Sequence, residues 1–287
     1  MWNNPIAISE GNLSRAWARA FLRVMAPPSS GNTSPLVLSI TEFDALGAPV
    51  EIPEIRRALD VSIEEINRSS DGKSARIQSV SGTAQTIFPH MCWSPRSKRP
   101  ADELFKHYHE RVLPRLKSRC SPNRQGTYFA RMTGGTGCDT HGNVKPVNQL
   151  GDILKWWKEH DSRPINSSMQ VSIYDPAKDH TGAARKGFPC LQQVSFRRDG
   201  EVLSLCAYYP TEYILGRGYG NYLGLCRLLN FMATEMDLQV GTACVFVLQP
   251  ILDGNKTGPL KGLEAAIRNL LAADPAATET PSEVVPP

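Results

Sequence analysis

The chain has 287 residues, of which 41% are apolar, 21% charged and 8% aromatic. A folded chain of this length buries about three quarters of its extended surface, which excludes a disorder-dominated polypeptide and a disulfide-stapled miniprotein. The net charge of +4 comes from 32 basic and 28 acidic residues mixed along the chain, too small an excess to point to nucleic acid.

Asn12-Leu13-Ser14-Arg15 opens a helical pattern that runs to Val24, with Leu13, Trp17, Ala20, Phe21 and Val24 at helical spacing. Pro27 to Gly31 ends it. Leu36–Ile40 reads as a strand, Ile55–Arg68 as an amphipathic helix and Ser69-Ser70-Asp71-Gly72 as a turn. Asp102–Arg119 reads as a long helix that Pro114 should kink. Gly126–Met132 is expected to be a short strand, followed by a loop, Thr133-Gly134-Gly135-Thr136-Gly137. That loop lacks the Lys and Ser/Thr of a phosphate-binding P-loop. Gln149–His160 is a helix carrying Trp156-Trp157, and Gln170–Tyr174 alternates like a strand. Val194–Tyr209 reads as a hairpin turning at Asp199-Gly200. Asn221–Met236 is long and apolar, with Leu225, Leu228, Leu229, Met232 and Met236 on one side, and predicts a buried helix. Leu260–Ala272 is the last helix. Residues 274–287, rich in Pro, Glu, Thr and Ser, predict a disordered tail.

The seven cysteines are odd in number and contain no C-x-x-C pair. The first residues are polar, with no apolar stretch behind them, and no apolar run approaches 18 residues. The expectation is a reduced, soluble, cytoplasmic protein. Cys190 follows Gly187-Phe188-Pro189 at a strand mouth. There Arg185, Lys186, Arg197 and Arg198 would lower its pKa were it exposed, although from spacing alone a lone cysteine reads as a small core residue. Cys206, Cys226 and Cys244 sit in apolar patterns and read as structural. Cys138-Asp139-Thr140-His141 lacks a second metal-ligand pair, and His107-Tyr108-His109-Glu110 lacks the i, i+4 histidines of a zinc helix. Arg96, Lys98 and Arg99 read as a solvated loop.

The order of segments says more. Asn148-Gln149-Leu150, Asp161-Ser162-Arg163-Pro164-Ile165, a strand ending Tyr174-Asp175-Pro176, and Phe188-Pro189-Cys190 follow one another. So do Asp199-Gly200-Glu201, Ala207 to Thr211, Gly220-Asn221, Ala233 and Asp237 to Gly241. This series resembles the thymidylate synthase family, which runs D-Q-I, D-S-R-R-I, W-N-P and P-C-H, with no net gap needed from Cys190 to Gly241. The resemblance covers residues 145 to 245 and extends loosely to Arg124–Tyr128 and Arg131.

The resemblance implies an α/β (α+β) fold with a large mixed sheet and helices packed on one face, over a domain of residues 1–273. It implies a homodimer through the other sheet face. The implied activity is one-carbon transfer from 5,10-methylenetetrahydrofolate to C5 of a pyrimidine nucleotide or nucleoside, as methylation or hydroxymethylation. Cys190 falls at the nucleophile that adds to C6. Asn221 falls at the amide that reads the pyrimidine edge and leans toward uracil. Arg163 falls at an arginine that reaches across the dimer to phosphate. Tyr128, Ser195 and Thr211 fall at further substrate positions.

The departures are as informative. Leu191 replaces a histidine, Ser195 a glutamine, and Pro210-Thr211 an Arg-Ser pair that holds phosphate and activates the thiol. Pro164 replaces the second clamp arginine and Tyr213 an aspartate, and Ile251 and Asp253 fall where His-x-Tyr binds the sugar. Each lost charged hydrogen bond is worth about 1.5–3 kcal/mol, so ordinary dUMP should bind weakly. Arg217, Arg197 or Arg198 would have to substitute. The implied proton-relay carboxylate has no match beyond a faint one at Glu110. The alternative reading is a catalytically silent relative that keeps the scaffold for nucleotide binding or assembly.

Overall fold

The computed structural model describes residues 5–26, 34–69, 76–96, 99–119, 126–138, 141–160, 166–180, 182, 189–253 and 258–273. Arg163, Arg185, Lys186, Cys120 and the expected tail at 274–287 lie outside them.

A six-stranded mixed sheet organises the chain, in the order β1-β2-β8-β7-β6-β5. Its strands are β1 (Ile6–Glu10), β2 (Leu36–Ile40), β5 (Gln170–Ser172), β6 (Gln193–Asp199), β7 (Val202–Tyr213) and β8 (Gln239–Ile251). β1 runs parallel to β2 and β7 parallel to β8, whereas the β2–β8, β7–β6 and β6–β5 pairs are antiparallel. A separate hairpin pairs β3 (Gly135–Cys138) with β4 (Val144–Val147). The helices are α1 (Leu13–Met25), α2 (Pro53–Ser69), α3 (Val80–Ile87), α4 (Ala101–His107), α5 (Leu113–Arg119), α6 (Tyr128–Thr133), α7 (Gln149–Glu159), α8 (Pro176–Asp179), α9 (Tyr219–Glu235) and α10 (Gly258–Ala273). The architecture is α+β.

The sheet has two unlike faces. Leu36, Leu38 and Ile40 of β2, Leu203, Leu205, Ala207 and Tyr209 of β7, and Ala243, Val245 and Val247 of β8 are buried. They meet α1 and α9. The alternate residues, among them Ser39, Ser195, Cys206, Tyr208, Cys244 and Phe246, are half-buried or exposed. This alternation is that of a sheet covered on one side.

α9 is the central helix, buried on nearly every side, as its all-round apolar sequence requires. It lies close against α3. A Cβ at Gly220 would stand 2.8 Å from the Val80 carbonyl, and one at Gly224 2.8 Å from that of Ala84. Glycines four apart on one helix face therefore let the two backbones approach. α1 joins the same cluster. Asn12 caps it by accepting from the backbone N–H of Ser14 and Arg15, and the Trp17 indole donates to the Ile214 carbonyl at 2.9 Å.

Several expectations need correcting. Gly126–Met132 is not a strand: Thr127 caps α6 by accepting from the Ala130 N–H, so the segment turns helical at Tyr128. The expected glycine loop contains a strand, because Gly135–Cys138 pairs with Val144–Val147. The β6–β7 hairpin turns at Gly200-Glu201, since Asp199 and Val202 already pair. Pro114 does not interrupt the expected helix, which runs through a π-helical stretch, Tyr108–Val112, into α5; the wider turn accommodates the missing proline N–H.

Candidate functional site

Cys190 lies just before β6, at the end held by β7: the Gln192 N–H donates to the Tyr208 carbonyl at 3.0 Å. The residue reaches solvent, while Leu191 behind it is fully buried. The Tyr128 hydroxyl, on the first turn of α6, donates to the Cys190 sulfur and accepts from the Leu191 N–H. Packing that withdraws water from the sulfur pushes the thiol pKa up. The Glu212 carboxylate adds to that rise, and Arg217 and Tyr128 oppose it. Of the basic neighbours expected to lower it, the two that are described, Arg197 and Arg198, do not act there. Arg197 pairs with Asp199, and Arg198 pairs with Glu201 and stacks over Trp157, all at the hairpin end of β6.

Glu212 is 1% exposed. It accepts from Asn221 Nδ2 at 2.8 Å and from the Tyr222 hydroxyl at 2.9 Å, both on α9. Burial raises its pKa to about 7 against these two bonds. Two buried polar atoms beside this carboxylate have no hydrogen-bond partner among the described residues, Asn221 Oδ1 and the Tyr209 hydroxyl. A buried acceptor without a partner costs about 1–3 kcal/mol, so a ligand N–H aimed at Asn221 Oδ1 recovers that loss.

Arg217 belongs to the π-helical segment Ile214–Gly218 that leads into α9. Its Nη1 donates to Gln78 Oε1 at 2.6 Å, and its charge acts on both Cys190 and Tyr128. Asp253, just beyond β8, holds the same segment by accepting from the Leu215 N–H at 3.0 Å and the Gly216 N–H at 2.9 Å. A Cβ at Gly216 would stand 2.3 Å from Asp253 Oδ2, so glycine is required for this contact. Burial raises the Asp253 pKa.

Of the expected site residues, Cys190, Tyr128 and Asn221 come together. Thr211 is half-buried in the ladder, opposite Gln249 and next to Glu212 in the chain. Ser195 lies on the open sheet face, where its hydroxyl donates to Gln170. Arg131 is engaged by Asp179 in a two-pronged ion pair at 2.7 and 2.9 Å. Glu110 is exposed.

Glu212, Tyr209, Tyr222 and Gln78 escape a reading of the sequence. Strand alternation from Leu203, Leu205, Ala207 and Tyr209 puts Glu212 on the open face. The alternation breaks after Pro210, and Glu212 turns inward. The one sequence signal for it is a carboxylate in an otherwise uncharged, tyrosine-rich stretch, Tyr208 to Tyr213.

Two cavities elsewhere have volumes of about 710 and 520 Å³. The first lies between α2 and α10; the second is a polar one lined by Lys117, Gly134, Gln149 and Lys178. Neither is lined by Cys190, Glu212 or Asn221. No group of three or more His, Cys, Asp or Glu side chains among the described residues could hold a metal ion, and no helix there is long and apolar enough to cross a membrane. No protein-family model matches the chain, and no curated protein matches it.

Proposed function

We propose that the protein is a thymidylate synthase-like enzyme that transfers a one-carbon unit to C5 of a uracil-type nucleotide or nucleoside, with Cys190 as nucleophile. The observation that carries this reading is the convergence of an accessible thiol, the Tyr128 hydroxyl, Arg217 and the Glu212–Asn221 pair. The Cys190 sulfur bonds to C6 as the thiol proton leaves, and the C5–C6 electron pair moves toward the C4 carbonyl. C5 then takes up an electrophile, loses its proton to a base, and the C6–S bond breaks to restore the thiol. Glu212, titrating near neutrality, is the proton carrier. Arg217 attracts the thiolate and an anionic substrate group. Glu212 already occupies Asn221 Nδ2, which leaves Oδ1 to accept from the N3–H of uracil.

The donor implied by the resemblance is methylenetetrahydrofolate. Such a donor has to reach a base held on Cys190. The family's back-to-back homodimer would use the open sheet face. That face mixes Tyr208, Phe246 and Leu248 with Gln170, Gln193 and Ser195, so we expect an association that dilution reverses. A reducing, cytoplasmic setting suits the free thiols.

The second reading, a silent relative that binds a pyrimidine without turnover, is favoured by the raised Cys190 pKa, which keeps the thiolate scarce. Exchange of the C5 hydrogen with deuterated water, using UMP, dUMP, uridine and CMP, separates the two without any donor. Release of tritium from 5-tritiated substrates with methylenetetrahydrofolate then tests the transfer. Exchange lost in Cys190→Ala supports the enzyme. Measurable binding with no exchange supports the silent relative, and neither binding nor exchange sinks both.

A further inference from the structure

A cysteine pair lies on the open face of the sheet. Cys206 of β7 and Cys244 of β8 are direct partners in the parallel ladder. Paired strands run about 4.8 Å apart, inside the 4.4–6.8 Å range that a disulfide spans. Their flanking residues Leu205, Ala207, Ala243 and Val245 are buried on the opposite face, so both thiols project to the same side. They are hydrogen-bonded to each other, and Cys206 is exposed. The register is unbroken from Leu205 and Ala243 to Tyr209 and Val247, with a shift on the Leu203 side. Tyr208 and Phe246 stack at 5.6 Å between centroids, and the Thr242 N–H donates to Ser204 Oγ at 3.1 Å.

We propose that Cys206 and Cys244 form a reversible dithiol–disulfide pair, oxidised within one chain by low-molecular-weight disulfides of the glutathione type. The Cys244 S–H, donating to the Cys206 sulfur, lowers the Cys206 pKa to about 7, so this thiol supplies the attacking thiolate. The thiolate attacks glutathione disulfide, forms a mixed disulfide and releases one glutathione thiolate. Cys244 then loses its proton, attacks the Cys206 sulfur and displaces the second glutathione. One glutathione disulfide is thereby reduced to two glutathiones as two protein thiols become one disulfide.

The test uses the full chain diluted to single copies, as checked by light scattering, and equilibrated with glutathione redox buffers. Acid trapping, alkylation and peptide mass spectrometry follow. The expected result is loss of two alkylatable thiols and a linked peptide pair carrying Cys206 and Cys244, reversed by excess reduced glutathione and retained in Cys190→Ala. Cys244→Ser should stop at a glutathione adduct on Cys206, and Cys206→Ser should abolish both products. The proposal is overturned if both thiols stay alkylatable under excess glutathione disulfide. It is equally overturned if Cys206 links to a second chain instead of to Cys244.

Discussion

Cys190 and Cys206 belong to the same sheet region, and their surroundings treat them oppositely. At Cys190, withdrawal of water and the Glu212 carboxylate push the thiol up. Cys206 faces the open side, where a neighbouring thiol donates to it and pulls it down to about 7. The site proposed for chemistry thus holds its sulfur protonated until a substrate and Arg217 stabilise the anion. The open face holds a thiolate ready without any ligand. Exposure alone separates neither cysteine from the other; the partner of each sulfur does.

This contrast can be broken at several points. Cys190→Ala should reduce C5 exchange on the order of 10³-fold or more, since a covalent step has no substitute. Cys206→Ser should leave exchange unchanged.

Glu212 should show in stability as well as in rate. The folded chain keeps its proton up to about pH 7, while the unfolded chain releases it near 4.5. The folded state therefore loses about 3 kcal/mol of stability as pH rises from 4.5 to 7, with little further change above. Urea unfolding across that range should show the decline in the wild type and a flatter profile in Glu212→Gln. An unchanged slope would remove Glu212 as the titrating group.

Gly216→Ala should cost about 1–3 kcal/mol in the same unfolding experiment, because the new methyl meets the Asp253 carboxylate. The C5 exchange rate should fall with it, since Arg217 moves with that segment. The smallest effect concerns the thiols directly. At neutral pH the lowered Cys206 thiol is far more ionised than Cys190, whose pKa burial raises. The weaker nucleophilicity of the more acidic thiol offsets part of this difference, but iodoacetamide should still react faster at Cys206 than at Cys190, by a measurable ratio. Cys244→Ser should narrow that ratio; a ratio that persists would mean the hydrogen bond is not its cause.

Much of the frame is legible in the chain. α1, α2, α7, α9 and α10, and the β6–β7 hairpin, announce themselves because their periodicity repeats over enough residues to outweigh local exceptions. β1, β8 and α3 do not. β8 is interrupted by Gly241 and Pro250, and its buried alternation makes sense only once β2 and β7 flank it. α3, Val80–Ile87, is short and weak in helix formers, and exists because Gly220 and Gly224 admit it against α9. Near the site, Cys190, Tyr128 and Asn221 can be named from motif order. Their carboxylate cannot, since Pro210 shifts the strand phase just before it.

The sequence by itself determined the central apolar helix, the other elements of regular period and a short list of polar residues able to do chemistry, because periodicity and residue type are local properties; the α+β class was implied there by the resemblance alone. Only the tertiary structure decided which of those residues meet. Burial and proximity are set by segments distant in the chain, and these alone raise Glu212 to neutrality, leave Asn221 Oδ1 without a partner among the described residues and pair Cys206 with Cys244.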